Sequence, residues 1–218
     1  HKLVHIRKIT RIPAVAKRWE AQHGQKPTED DVQAMFEDFI PLQLACLADY
    51  GELIPGALEA VADFRERGLK IGSTTGYTTQ MGDILFAEAK RRGYSPDSAV
   101  CASEVPAGRP EPWMCLQNAF NLQVYPMEAI VKVGDTLPDI EEGLNASMWT
   151  IGLAKTGNEI GLNAEEIEAL PEDDFQERLA NAYKRLHQTG AHYVVDGIWD
   201  VPPILDKINA RLSRGERP

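Results

Sequence analysis

Hydrophobic and polar positions change rhythm once along this chain. Up to about residue 50 the apolar positions keep helical spacing. Residues 2–11 read as a basic helix stopped before Pro13, and residues 14–23 as a second one ended by Gly24. Thr28-Glu29-Asp30-Asp31 has the form of a capping box. It leads into Val32, Met35, Phe36 and Phe39, spaced i, i+3, i+4, i+7 on one helical face. Pro41 should kink or split the helix beyond that point. No run in this stretch alternates as a strand does.

Beyond Gly51 short apolar runs alternate with helix-spaced stretches. Ile54-Pro55-Gly56 opens a helix carrying Leu58, Val61 and Phe64 on one side, with Gly68 where a helix-ending glycine belongs. Strand-like runs are expected at 69–74, 98–102, 130–133, 148–153 and 193–195. Helices are expected at 78–92, 112–122, 138–146, 173–187 and 204–212. Such alternation needs crossover connections, which give a parallel sheet covered on both faces. The pattern therefore predicts an α/β doubly wound sheet over residues 51–218, preceded by a small all-helical unit over 1–50. The boundary falls near Tyr50-Gly51.

Charge removes several function classes. The 218 residues carry a net charge of −10, which argues against a general nucleic-acid binder. No apolar run approaches the ~20 residues that cross a bilayer, and no basic start leads into an apolar run as in a signal peptide. Cys46, Cys101 and Cys115 are odd in number and widely spaced, which suits a reducing cytoplasm. The sequence opens at His1, without Met, in what reads as the inside of an element. A missing N-terminal segment is therefore expected. Residues 1–23 hold Lys2, Arg7, Lys8, Arg11, Lys17 and Arg18 against Glu20 alone. They form either a solvated helical face or a basic lid over an anionic substrate.

In a doubly wound sheet ligands gather at the carboxyl ends of the strands. Three such ends carry unusual residues. Ser73-Thr74-Thr75-Gly76-Tyr77-Thr78 puts hydroxyls and a glycine before a helix, which suits a phosphate and equally suits a helix cap. Val105-Pro106-Ala107-Gly108-Arg109-Pro110 holds one guanidinium in a proline-stiffened loop, either for anion capture or as a plain surface turn. Gly134-Asp135-Thr136-Leu137-Pro138-Asp139 ends an apolar strand in a carboxylate with a second one four residues on. Such carboxylates suit a hard cation such as Mg²⁺, or N-capping of the next helix by Asp135 or Thr136.

Taken together, threonine, arginine and paired aspartates on successive strand ends resemble the haloacid dehalogenase superfamily of aspartate-nucleophile phosphotransferases. The segments GSTTGYT, VPAGRPEPWM and KVGDTLPDIEEGLNA are similar to its phosphonatase family, as is Arg109 in place of the superfamily's usual lysine. Lys2-Leu3-Val4-His5-Ile6-Arg7 resembles the cap segment that carries that family's Schiff-base lysine. The resemblance spans essentially the whole chain. It implies hydrolysis of the P–C bond of phosphonoacetaldehyde to acetaldehyde and phosphate, within the degradation of 2-aminoethylphosphonate. Lys2 would form the imine, with His5 and Tyr77 in its proton network. Thr75, Gly76 and Arg109 would bind the phosphoryl oxygens. Asp135 would hold Mg²⁺, supported by Thr136 and Asp139. A homodimer through the helical cap is also implied, with the Val32, Met35, Phe36, Phe39 stripe as its interface or as core within the chain.

The family's first motif, a strand ending in the nucleophilic aspartate, lies before the cap. It is absent from this sequence, so the chain as written is expected to lack activity and its central strand. The chemistry explains the need for a lysine. Direct P–C cleavage expels an enolate, whereas a protonated imine lets a neutral enamine leave. The amine must be free part of the time, and desolvation or neighbouring cations lower the cost of freeing it.

Two other readings use the same residues. A capped phosphatase or phosphomutase would employ the strand ends without an imine, and a phosphate-binding fragment would hold the anion without turnover. The HxxxH spacing of His1 and His5 is a poor zinc site, because Lys2 stands where a zincin has its glutamate.

Overall fold

The computed structural model describes residues 2–218, so the His1 member of the imidazole pair lies outside the described residues. The N-terminal stretch is helical: α1 (Lys2–Thr10), α2 (Pro13–His23) and α3 (Glu29–Cys46). Pro13 opens α2, where its missing N–H is no loss. Gly24 ends it at φ 77°, donating its N–H to the Glu20 carbonyl at 2.8 Å. At the start of α3 the Thr28 hydroxyl accepts from the Asp31 N–H at 3.2 Å, and the Asp31 carboxylate accepts from the Thr28 N–H at 2.8 Å.

The expected break at Pro41 does not occur. α3 runs through it to Cys46, and a 3-10 turn over Leu47–Tyr50 follows. The proline removes a single backbone bond late in the helix, where few further bonds depend on it. α1 packs along α3. Glu29, in the first turn of α3, takes Arg7 at 2.8 Å and Arg11 at 3.4 Å. Two of the six N-terminal cations are thus committed within the helical segment.

The remaining elements are α4 (Ala57–Glu66), β1 (Gly72–Thr75), α5 (Thr79–Arg91), β2 (Ser98–Cys101), α6 (Trp113–Leu122), β3 (Val131–Gly134), α7 (Leu137–Asn145), β4 (Trp149–Leu153), α8 (Ala164–Glu168), α9 (Glu172–Gln188), β5 (Tyr193–Val195) and α10 (Val201–Ser213). All strand pairings are parallel. They form a two-stranded sheet, β1-β2, and a three-stranded sheet, β3-β4-β5.

β4 is buried along its whole length, as a central parallel strand should be. Trp149, Ile151 and Leu153 pack with Ala60 and Phe64 of α4 and with Val201, Ile204, Leu205 and Ile208 of α10. The alternate residues face the other way. Gly152 lies against Leu186 of α9, and Thr150 against Gly143 of α7. That face is closed by a second cluster containing Ile140, Phe175, Ala182 and Leu186.

Cys46 is exposed, whereas Cys101 and Cys115 are buried. Burial pushes the Cys101 thiol up to about 11. The same cause, with Glu142 close by, pushes Cys115 to about 12. Among the described residues no helix is long and apolar enough to cross a membrane.

Candidate active site

The carboxyl ends of β1, β2 and β3 join Arg109 and Asp139 to Lys132 and Glu142, which the sequence did not flag, and to Thr74, which it offered only as one hydroxyl of a run. β1 ends at Thr75, whose hydroxyl accepts from the Tyr77 N–H at 3.3 Å. This tight turn leaves Gly76 exposed, with open space where a Cβ would stand. The turn is tied to the end of β2. The Ala102 N–H donates to the Tyr77 carbonyl at 3.1 Å, and the Thr79 N–H to the Ser103 hydroxyl at 2.9 Å.

Arg109 reaches back from the loop after β2. Its Nη2 donates to the Thr74 carbonyl at 2.8 Å and to the Thr74 hydroxyl at 2.9 Å. Nη1 lies 3.1 Å from Asp139 and Nε 3.3 Å from Glu142. Lys132, in mid-β3, joins from the other sheet. Its Nζ is 2.6 Å from Glu142 Oε2, 3.2 Å from Asp139 and 2.8 Å from the Thr74 hydroxyl. Two cations and two carboxylates therefore bridge β1 to β3, and the charges balance. Glu142 is 0% exposed, and its Oε1 has no hydrogen-bond partner among the described residues.

Asp139 also caps α7. Its Oδ2 accepts from the Thr136 hydroxyl at 2.6 Å and the Thr136 N–H at 3.2 Å, and the Asp139 N–H returns a bond to that hydroxyl at 3.3 Å. Burial pushes the Asp139 carboxyl up, but Lys132, Arg109 and the Thr136 hydroxyl outweigh it and hold the group below the usual carboxylate range. Thr136 and Asp139, expected to support a metal, are thus occupied with the helix start and the ion cluster. Gly134 permits this approach, since a Cβ there would collide with the Asp139 side chain.

Asp135 stands apart from the cluster. Asn158, in the loop after β4, fixes its Oδ2 through the backbone N–H at 3.0 Å and Nδ2 at 2.7 Å. No hydrogen bond reaches Oδ1 among the described residues, so a hard oxygen donor is oriented at the strand end. This fits a Mg²⁺ ligand. Among the described residues no three His, Cys, Asp or Glu groups converge on one point, so no complete cage surrounds Asp135.

Lys2 comes to these strand ends from α1. Its Nζ lies 5.7 Å from the centre of the Tyr77 ring and 5.9 Å from that of Phe39 on α3. His5, one turn further along α1, is exposed. Val32 of the apolar stripe is buried and Phe39 faces Lys2, so these two stripe residues are engaged inside one chain. Away from this region an open groove of about 540 Å³ runs past Arg65, Lys70 and Asp97 at the amino ends of β1 and β2.

The sequence signal for Thr74, Lys132 and Glu142 was slight. Thr74 adjoins the flagged Thr75, Lys132 sits inside an apolar run, and Glu142 looks like any helical glutamate.

A family model described as haloacid dehalogenase-like hydrolase matches residues 4–147, and the chain belongs to that family. The chain is 51% identical over 217 residues to a phosphonoacetaldehyde hydrolase of Syntrophobacter fumaroxidans, covering 100% of this chain and 78% of the relative. It is 48% identical over 217 residues to one from Nitratidesulfovibrio vulgaris, with the same coverage of 100% and 78%. The crystal structure of a phosphonoacetaldehyde hydrolase-like protein from Oleispira antarctica matches with a TM-score of 0.93 at 40% identity, covering 100% of this chain and 79% of that one. Identity at this level along the whole chain sets it in the phosphonatase branch and makes it a hydrolase.

Proposed function

We propose that the chain supplies the lysine, the phosphoryl-binding residues and one Mg²⁺ ligand of an enzyme that splits phosphonoacetaldehyde into acetaldehyde and phosphate. The observation that carries this reading is the Lys2 amine at 5.7 Å from the Tyr77 ring, two residues past the Thr75 strand end. A primary amine then lies beside a turn whose hydroxyl and open backbone suit a phosphate.

The free amine of Lys2 attacks the aldehyde carbon. The oxygen leaves as water, taking one hydrogen from nitrogen and one proton from solvent, and a protonated imine remains. When the P–C bond breaks, its electron pair becomes the C=C bond and the C=N pair comes to rest on nitrogen. Thr75 and the open backbone at Gly76 hold the phosphoryl oxygens, and by the resemblance Arg109 joins them on giving up part of its contacts to Thr74, Asp139 and Glu142. Asp135 would hold Mg²⁺, which when bound offsets charge on those oxygens. By resemblance the phosphoryl group passes to the carboxylate of the family's first motif, to which no residue of this sequence is assigned, and then to water. His5 is one helical turn from Lys2, a spacing that suits protonation of the enamine carbon before hydrolysis. By the same resemblance the whole works within 2-aminoethylphosphonate degradation.

Borohydride added with phosphonoacetaldehyde should trap a reduced adduct, which peptide mass spectrometry locates on Lys2. Lys2→Arg should give none, because a guanidinium does not deprotonate. In the intact enzyme, first motif included, Lys2→Ala should lose P–C cleavage. Undiminished cleavage by Lys2→Ala would sink the imine and favour a capped phosphatase.

A further inference from the structure

We propose that Asn158 is a positioning residue that sets metal preference: by occupying one oxygen of Asp135 it leaves that carboxylate a one-oxygen ligand, which suits Mg²⁺ and disfavours Ca²⁺. This rests on the Mg²⁺ role proposed above for Asp135.

The two residues come from different strand ends. Asp135 follows β3, and Asn158 lies in the loop after β4. Both Asn158 donors, the backbone N–H at 3.0 Å and Nδ2 at 2.7 Å, go to the same atom, Oδ2. A carboxylate oxygen has about two lone-pair sites, so Oδ2 is filled. Oδ1 receives no hydrogen bond among the described residues and remains the oxygen available to a cation. The loop is pinned on both sides of Asn158. Lys155 and Thr156 donate their N–H groups to the Asp196 carbonyl at 2.9 and 3.3 Å. Glu159 pairs with Arg185 of α9 at 2.7 Å, and Ile160 is buried in the second hydrophobic cluster. Gly157 lets the loop lie against Asp135: a Cβ there would collide with the Leu153 carbonyl and stand 2.8 Å from Asp135 Cβ. Asn158 itself is exposed, so packing gives no reason for an amide at this position.

The preference follows from coordination geometry. Mg²⁺ demands a nearly ideal octahedron, and the two oxygens of one carboxylate lie too close together to fill two of its corners. Ca²⁺ takes more oxygens in looser geometry and accepts both from one carboxylate. With Oδ2 held by two donors, Asp135 offers what Mg²⁺ uses and withholds the second oxygen that Ca²⁺ would add.

The test uses the intact enzyme, first motif included, and reads metal binding and not turnover. Bound Mn²⁺ is followed by its EPR signal while Mg²⁺ or Ca²⁺ is titrated in to displace it. Asn158→Ala should weaken Mg²⁺ by roughly 10-fold, the low end for a residue that orients a metal ligand, because the backbone N–H remains. Ca²⁺ should weaken less, so the ratio of the two affinities moves toward Ca²⁺. Asn158→Ser, which keeps a shorter donor, should fall between, and it carries the same comparison if Asn158→Ala fails to fold. An unchanged Mg²⁺ affinity, or equal weakening of both ions as a merely structural role would give, would overturn the inference. Asp135→Ala separates that failure from failure of the metal reading. If Asp135→Ala loses Mg²⁺ while Asn158→Ala changes nothing, only the role of Asn158 falls. If Asp135→Ala binds Mg²⁺ as the unsubstituted protein does, both fall.

Discussion

At the scale of single residues, the ion cluster shows why a strand-end reading picks out some members of a candidate site and passes over others. Thr75, Arg109 and Asp135 were legible because each breaks a local pattern: a hydroxyl after an apolar run, an arginine among prolines, a carboxylate closing a strand. Lys132 and Glu142 break none. Their meaning lies in each other, 2.6 Å apart across β3 and α7, and local periodicity does not record that distance. Phe39 was legible as apolar but not as the neighbour of Lys2, for the same reason. The burial of Glu142 makes a firm prediction. Glu142→Ala leaves Lys132 and Arg109 without one of their two carboxylates, in a place water scarcely reaches. A buried pair broken on one side loses about 3–5 kcal/mol. Urea unfolding should show a midpoint lowered accordingly. A second substitution, Lys132→Met, should recover part of the loss, since it removes the stranded charge.

At the scale of elements, local chemistry set most boundaries. The capping boxes at Thr28 and Thr136 and the glycine ends at Gly24 and Gly68 work within a few residues, so sequence alone locates them. α8 escaped notice although Asn163 and Glu166 form the same reciprocal cap, at 2.8 Å in each direction. Its five residues are too short for a periodic apolar face to announce it. β1 begins at Gly72, later than the apolar run suggested, because pairing with β2 and not hydrophobicity decides where a strand starts. α7 illustrates a close approach that one atom would upset. A Cβ on Gly143 would stand 2.6 Å from Thr150 Cγ2 and 2.7 Å from Lys132 Cβ. Gly143→Ala should push α7 off β3 and β4 and destabilise by about 1–3 kcal/mol despite alanine's better helix propensity. Thermal unfolding of this variant should fall below the unsubstituted protein. An unchanged or higher Tm would show that α7 has slack.

At the scale of the whole molecule, alternation of helix and strand gave the α/β class and its parallel sense. Which strands pair within each sheet was not legible, since strand order depends on contacts far apart in the chain. One such contact makes stability depend on pH. His192, just before β5, accepts the Thr150 N–H on Nδ1 at 3.1 Å and meets the Thr150 hydroxyl at 2.8 Å. Burial, helped by Arg211, holds its imidazole below the usual histidine value. The neutral ring is therefore the one that fits the fold, and the unfolded chain takes up the proton first. Stability from this group is complete above the ordinary histidine value of ~6.5. It declines as the pH falls from there through the lower folded value. Losing the bond is worth ~1 kcal/mol, or about 2–4 °C in Tm for a chain of this size. A melting series from neutral to mildly acidic buffer should show that decline, and His192→Gln should flatten it.

The cysteines offer a practical handle. Two thiols are enclosed and held protonated up to about 11 and about 12, while Cys46 stands in the open where α3 hands over to the turn leading into the α/β portion. A maleimide dye at neutral pH should therefore decorate one place only. That place sits at the joint between the helices bearing Lys2 and the strands that follow, so its emission reports on the surroundings of that joint.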